Sequence, residues 1–77
     1  MCDKMKHSLQ ITLNGDLFSV SAAAGALTVS ELLSRLEIDA RRVAVEHNLV
    51  VLRRAAFADT VVHDGDQVEI VNFVGGG

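Results

Sequence analysis

Residues 7–21 read His7-Ser8-Leu9-Gln10-Ile11-Thr12-Leu13-Asn14-Gly15-Asp16-Leu17-Phe18-Ser19-Val20-Ser21, and this stretch decides the fold. Leu9, Ile11 and Leu13 alternate with Ser8, Gln10 and Thr12, the period of a strand buried on one face. Asn14-Gly15 then supplies two residues that tolerate positive φ, as a two-residue turn between antiparallel strands demands. Leu17-Phe18-Ser19-Val20 resumes the extended pattern, so 7–21 is predicted to form a β-hairpin. A lone hairpin is marginal in water, and the rest of the chain must cover its apolar side.

That cover comes next. Ala22-Ala23-Ala24-Gly25-Ala26 has no amphipathic face and is interrupted by glycine, so it reads as a connector. Thr28 and Glu31 stand at the spacing of a capping box, in which each side chain satisfies the other's free backbone N–H. Leu27 and Leu32 flank that cap at the positions of a hydrophobic staple. Val29, Leu32, Leu33 and Leu36 recur at helical spacing, which predicts one short helix of about ten residues with a single apolar stripe. Val43-Ala44-Val45-Glu46 and Leu49-Val50-Val51-Leu52 read as two further strands around a turn at His47-Asn48. Phe57 is expected to anchor the irregular stretch after Arg53-Arg54, and Val61-Val62 to be briefly extended. Asp64-Gly65-Asp66 is a turn, and Gln67-Val68-Glu69-Ile70-Val71 a last strand with Val68 and Ile70 inward. Strands with one helix against one face make an α+β domain, a small mixed sheet of four to five strands packed on one main helix in the ubiquitin-like, or β-grasp, arrangement. The expected organisation is a disordered start at 1–6, a domain at 7–74 and a flexible glycine tail at 75–77.

Composition narrows the function. At 77 residues the chain has room for one domain and a small core, and none for a deep catalytic cleft. Seven basic against ten acidic residues give a net charge of −3, the wrong sign for a protein bound to phosphate backbones, so nucleic acid is not an expected partner. Charge and regularly spaced polar residues near the start exclude a signal-peptide core or membrane span there. The chain is expected to be cytoplasmic and, when free, a monomer. Its single cysteine, Cys2, fits a reducing compartment and excludes a ferredoxin, which needs four ligands for its cluster. His7, His47 and His63 have no partners at ligand spacing and read as solvated surface groups rather than a metal site. Asp64 and Asp66 flank Gly65 as turn residues first, and Arg41-Arg42 and Arg53-Arg54 are most simply solvated charge.

The chain closes on Phe73-Val74-Gly75-Gly76-Gly77. Three glycines have no side chains to pack, so the tail offers its carboxylate as a chemical handle held away from the body. Alternation from Val68 and Ile70 does not let both Phe73 and Val74 point inward, and one of them is expected to serve as a partner-docking residue.

Three blocks carry a resemblance to a known family: Leu13-Asn14-Gly15, Val43-Ala44-Val45-Glu46-His47-Asn48, and the run from Asp64-Gly65-Asp66 through Val74 to the three glycines. They resemble the ThiS sulfur carriers of thiamine biosynthesis, with MoaD, the small subunit of molybdopterin synthase, as a close cousin. The resemblance spans 7–77. One departure is Leu52 ahead of Arg53, where the family often has proline; this chain contains no proline. The resemblance implies a carrier rather than an enzyme. Its Gly77 carboxylate would be adenylated by a ThiF-like adenylyltransferase that consumes ATP, with no cofactor bound by the carrier itself. Sulfur from a donor such as a cysteine desulfurase would convert it to a thiocarboxylate, and a ThiG-like thiazole synthase would accept that sulfur, while Gly75 and Gly76 thread the partners' active sites. Two other classes use the same features differently: a protein modifier joining Gly77 to a lysine, and a plain interaction module with inert glycines. A MoaD-like carrier for molybdopterin or another sulfur pathway is the alternative within the class.

Overall fold

The computed structural model describes residues 8–22 and 25–72. The predicted hairpin is present as β1 (Ser8–Leu13) and β2 (Asp16–Ser21), paired antiparallel with Leu9 opposite Val20 and Leu13 opposite Asp16. Its turn has φ of 52° at Asn14 and 89° at Gly15, so both central residues occupy the left-handed region that matches the twist of the strands. Leu9, Ile11 and Val20 are buried, whereas Ser8, Gln10 and Ser19 face solvent.

After the hairpin, Leu27–Thr28 forms a two-residue strand, β3, that runs directly into helix α1 (Val29–Arg35). The capping box forms as its sequence dictates. Glu31 N–H donates to Thr28 Oγ1 at 3.1 Å, and Thr28 N–H donates to Glu31 Oε1 at 2.9 Å. Other free N–H groups at the helix start are met from outside: Val29 donates to the Thr60 carbonyl and Ser30 to the Phe57 carbonyl. Val29, Leu32 and Leu33 are buried. The helix is seven residues long rather than about ten, because Glu37 turns the chain with φ of 59°. Glu37 N–H then reaches the Ser34 carbonyl and Ile38 N–H the Leu33 carbonyl, the two bonds of a Schellman stop.

β4 (Val43–His47), β5 (Val50–Leu52), β6 (Val61–Val62) and β7 (Gln67–Asn72) complete the fold. The main sheet has the order β2-β1-β7-β4-β5, with β1 and β7 parallel at its centre and the other pairs antiparallel. This is the mixed five-stranded sheet with one helix expected of a β-grasp domain. The turn between β4 and β5 falls at Asn48-Leu49, with φ of 51° and 72°, and not at His47-Asn48. His47 stays in β4 because its backbone pairs with Val50 on β5 and Val68 on β7, a requirement that is invisible in local sequence. The short extended segment at Val61–Val62 pairs with β3 as a second, two-stranded sheet. Phe57 is buried, as an anchor must be, and joins Leu27, Val62 and the helix stripe in one core with Leu9, Ile11, Val20, Val43, Val45 and Val68.

Both helix ends generate stability tests of opposite sign. Thr28→Ala removes the cap and is expected to cost about 1 kcal/mol. Glu37→Gly places at the left-handed stop the residue that adopts it without strain, and is expected to gain about 1 kcal/mol. Urea midpoints at constant slope measure both, and a loss of stability in Glu37→Gly would contradict the Schellman account.

Candidate functional site

Phe73, Val74, Gly75, Gly76 and Gly77, named from sequence as docking residues, threading glycines and reacting carboxylate, lie outside the described residues, as do Cys2 and His7. The structure describes the strand that leads to residue 73 and what holds that strand. β7 delivers the chain to residue 72 from the middle of the sheet, parallel to β1 on one side and antiparallel to β4 on the other. Along β7, Val68 is fully buried and Ile70 half-buried, while Glu69 and Val71 face outward. The inward positions are those expected from alternation.

Two asparagines grip β7 from two different turns. Asn14 Oδ1 accepts the Ile70 N–H at 2.7 Å, and Asn14 Nδ2 donates to the Ile70 carbonyl at 3.2 Å. Its own backbone N–H donates to the Val68 carbonyl at 2.9 Å. The side-chain amide thus takes the place of the next peptide of β1, extending the parallel ladder after the backbone has turned back toward β2. At the other end, Asn48 Oδ1 accepts the Gln67 N–H at 2.8 Å and Asn48 N–H donates to the Gln67 carbonyl at 2.8 Å. Sequence reasoning assigns both asparagines to turns and misses the grip. The available signal is the residue type, since glycine serves such turns equally well and only asparagine brings a donor and an acceptor together.

The Asp64-Gly65-Asp66 turn locks the start of β7 to β1. Asp64 Oδ1 accepts the Gln10 N–H at 2.7 Å, and Gly65 N–H donates to the Gln10 carbonyl at 2.8 Å. Asp66 Oδ2 accepts the His63 N–H at 2.9 Å and lies 2.7 Å from His47 Nε2. Both carboxylates are therefore engaged in the turn, in keeping with the structural role read from sequence. His47 departs from its reading as a solvated residue, because its partner Asp66 draws the ring down beside the turn. Burial raises the Asp66 pKa, but hydrogen bonds from His63 N–H, His47 and Asn48 outweigh it and hold the carboxyl below its ordinary value. Among the described residues no three of His, Cys, Asp and Glu gather as a metal site, and no helix is long and apolar enough to cross a membrane. Arg41 forks onto Asp39 through Nε and Nη2, each at 3.2 Å, whereas Arg53 and Arg54 are exposed and in no ion pair among the described residues.

A sheet that carries a central C-terminal strand to a glycine tail is the arrangement of a known family, and the model of the ThiS family matches residues 11–77. The chain belongs to the ThiS family. It is similar in structure to the thiamine biosynthesis protein ThiS of Geobacter metallireducens, with a TM-score of 0.77, 47% identity, and 90% of this chain and 100% of that one covered. The "Sulfur carrier protein ThiS" of Bacillus subtilis is 34% identical over 50 residues, 65% of this chain and 76% of that protein. A "Thiazole synthase" of Paramagnetospirillum magneticum is 42% identical over 69 residues, 90% of this chain. The chain spans 20% of that synthase's length. The family places it among the sulfur carriers of thiamine biosynthesis.

Two of the residues that hold β7 in this ThiS domain, Asn14 and Asp66, are separately testable. Asn14→Ala strips the Ile70 peptide of both partners and is expected to cost about 1–2 kcal/mol, with faster amide exchange at Ile70. Asn14→Asp keeps the acceptor and is expected to lose less. Equal exchange at Ile70 in all three proteins would show that the amide grips nothing.

For Asp66 the sign follows from its lowered pKa. A carboxyl held low in the folded state contributes stability that is present above its unfolded pKa of about 3.9 and is lost as pH falls through the folded value. Asp66→Asn should therefore flatten the decline in urea midpoint between about pH 5 and pH 2 relative to the parent protein. Parallel pH profiles would remove Asp66 as a contributor.

Proposed function

We propose that this chain is a sulfur carrier whose Gly77 carboxylate is activated and converted to a thiocarboxylate that donates sulfur for thiazole formation. The observation that carries the reading is the family match reaching through residue 77, so that it includes the three glycines as well as the folded body. The name of the Bacillus relative supports sulfur carriage. Thiazole synthases that contain a stretch 42% and 36% identical to this chain support a thiazole synthase as acceptor.

The chemistry follows from the carboxylate. At neutral pH it is ionised, with an ordinary α-carboxyl pKa of roughly 3.3 to 3.7, and its delocalised charge makes its carbon a poor electrophile. Attack by the carboxylate oxygen on the α-phosphorus of ATP releases pyrophosphate and gives an acyl adenylate, whose AMP is a good leaving group. A ThiF-like adenylyltransferase supplies this step and consumes the ATP. A persulfide from a donor such as a cysteine desulfurase then displaces AMP, and cleavage of its sulfur–sulfur bond by a second thiol leaves the thiocarboxylate. The carrier contributes a positioned end group and no catalytic side chain of its own. Gly75 and Gly76 suit passage through a narrow channel because a Cβ there would meet walls built around backbone. From Asn72 the five remaining residues can reach about 17 Å when extended.

Incubation with ATP, an adenylyltransferase and a sulfur donor is expected to raise the intact mass by the difference between sulfur and oxygen, with the change located at Gly77. Deleting Gly76-Gly77 should abolish the change and leave the folded spectrum intact. A mass that never moves, or lysine-linked conjugates in its place, would overturn the proposal.

A further inference from the structure

The tip of the β4–β5 hairpin is built against its own interest. Leu49, Val50 and Val51 are 79%, 60% and 68% exposed. Successive strand residues point to opposite faces, so the apolar character of Val50 and Val51 is presented on both sides of β5. The strand lies at the open edge of the sheet. Leu49 also holds φ of 72°, a left-handed conformation that costs a residue with a Cβ about 1–2 kcal/mol and that glycine adopts freely. The same kind of turn at 14–15 uses glycine at this position. Leu49 belongs neither to the core nor to the apolar residues packed against it, which is the pattern of a group shaped for something outside the domain.

Charge defines what that something is. Arg53 and Arg54 follow β5 directly, exposed and in no ion pair among the described residues, in a chain whose net charge is −3. A second copy of the chain is disfavoured, since antiparallel pairing of two β5 edges centred on Val51 sets Arg53 opposite Leu49 of the other copy, and residues 49–54 offer the arginines no carboxylate. A surface with an apolar pocket edged by carboxylates meets both features. The tip also lies away from the tail root: Asn48 is bonded to Gln67 at the start of β7, and Asn72 is at the other end, about 17 Å along the strand. A partner seated on the tip leaves the tail root free to feed an active site.

We infer that the apolar hairpin tip Leu49-Val50-Val51, with Arg53 and Arg54 beside it, is the anchor by which this carrier docks on an acid-rimmed apolar pocket of a thiazole synthase. The inference rests on the carrier reading above, and among the partners of that reading the thiazole synthase is chosen because stretches 42% and 36% identical to this chain occur within thiazole synthases. Docking by the tip and threading by the tail form a two-point engagement, in which a firm hold at one point raises the effective concentration of the carboxylate at the other.

The test is titration calorimetry of the full chain against the thiazole synthase of the same organism. Leu49→Gly is expected to stabilise the isolated domain and yet weaken binding about tenfold or more, a combination that a purely structural role cannot produce. Val51→Thr, close in volume, should weaken binding in the same direction. Arg53→Gln with Arg54→Gln should weaken it and flatten its salt dependence. Leu17→Ser is the control, an apolar residue 74% exposed on the opposite edge strand, and should bind as the parent does. Parental affinity in Leu49→Gly, an equal loss in Leu17→Ser, or no binding by the parent chain would each overturn the inference. Intact mass at Gly77, measured in parallel, separates the two readings. Normal conversion with unaltered Leu49→Gly binding ends the role of the tip alone, and no conversion at all ends the carrier reading and the choice of partner with it.

Discussion

The grip of the Asn14 side chain on the Ile70 peptide is the interaction on which the C-terminal third of the fold depends. β1 runs parallel to β7 but turns back at residue 14, so its backbone meets β7 over only a short stretch. An amide side chain has the same donor and acceptor as a peptide, and Asn14 uses both to carry the ladder one step further. The turn geometry makes this possible, because positive φ at Asn14 is tolerated by asparagine and poorly by branched residues. One residue thereby closes the hairpin and fixes the register of the strand that leads to the tail.

The remaining constraints act on the same strand from other directions. Asn48 holds Gln67, Asp64 and Gly65 hold Gln10, and Asp66 joins the turn before β7 to His47 on β4. These bonds join residues far apart in sequence, and several lie at the surface. The hydrophobic layer beneath them, from Ile11 through Val68 and Val45 to Leu32 and Leu33, supplies burial but little direction. Packing fixes that β7 lies over the helix, and the polar bonds fix where along β1 and β4 it stops.

How much of this can be read from sequence divides by range. The hairpin at 8–21, the capping box at Thr28 and Glu31 and the inward face of Val68 and Ile70 are legible because their causes are local: alternation, positive φ and N–H satisfaction within four residues. The helix stop is not, since Glu37 adopts a conformation for which glycine is the usual signal. The pairing of Leu27–Thr28 with Val61–Val62 is illegible for a different reason, as two-residue strands carry no period. The turn is misplaced by one residue at His47 because its register is set by β7, more than twenty positions away. The family is legible from the glycine end and its preceding strand, whereas the grip on that strand emerges only when Asn14 and Asn48 are seen in space.

The open edge beyond Asn14 has a mechanical consequence. Peptide groups along a strand face alternate sides, and those of Val68 and Ile70 face β1. By the same alternation the Asn72 peptide faces that side too, past the point where the Asn14 grip ends. Asn72 is thus neighboured by β4 at Val43, and among the described residues by no second ladder. Peeling this residue from the sheet breaks far less than peeling Ile70 would. Unzipping of β7 from Asn72 backwards therefore meets its first double-bonded hold at Ile70.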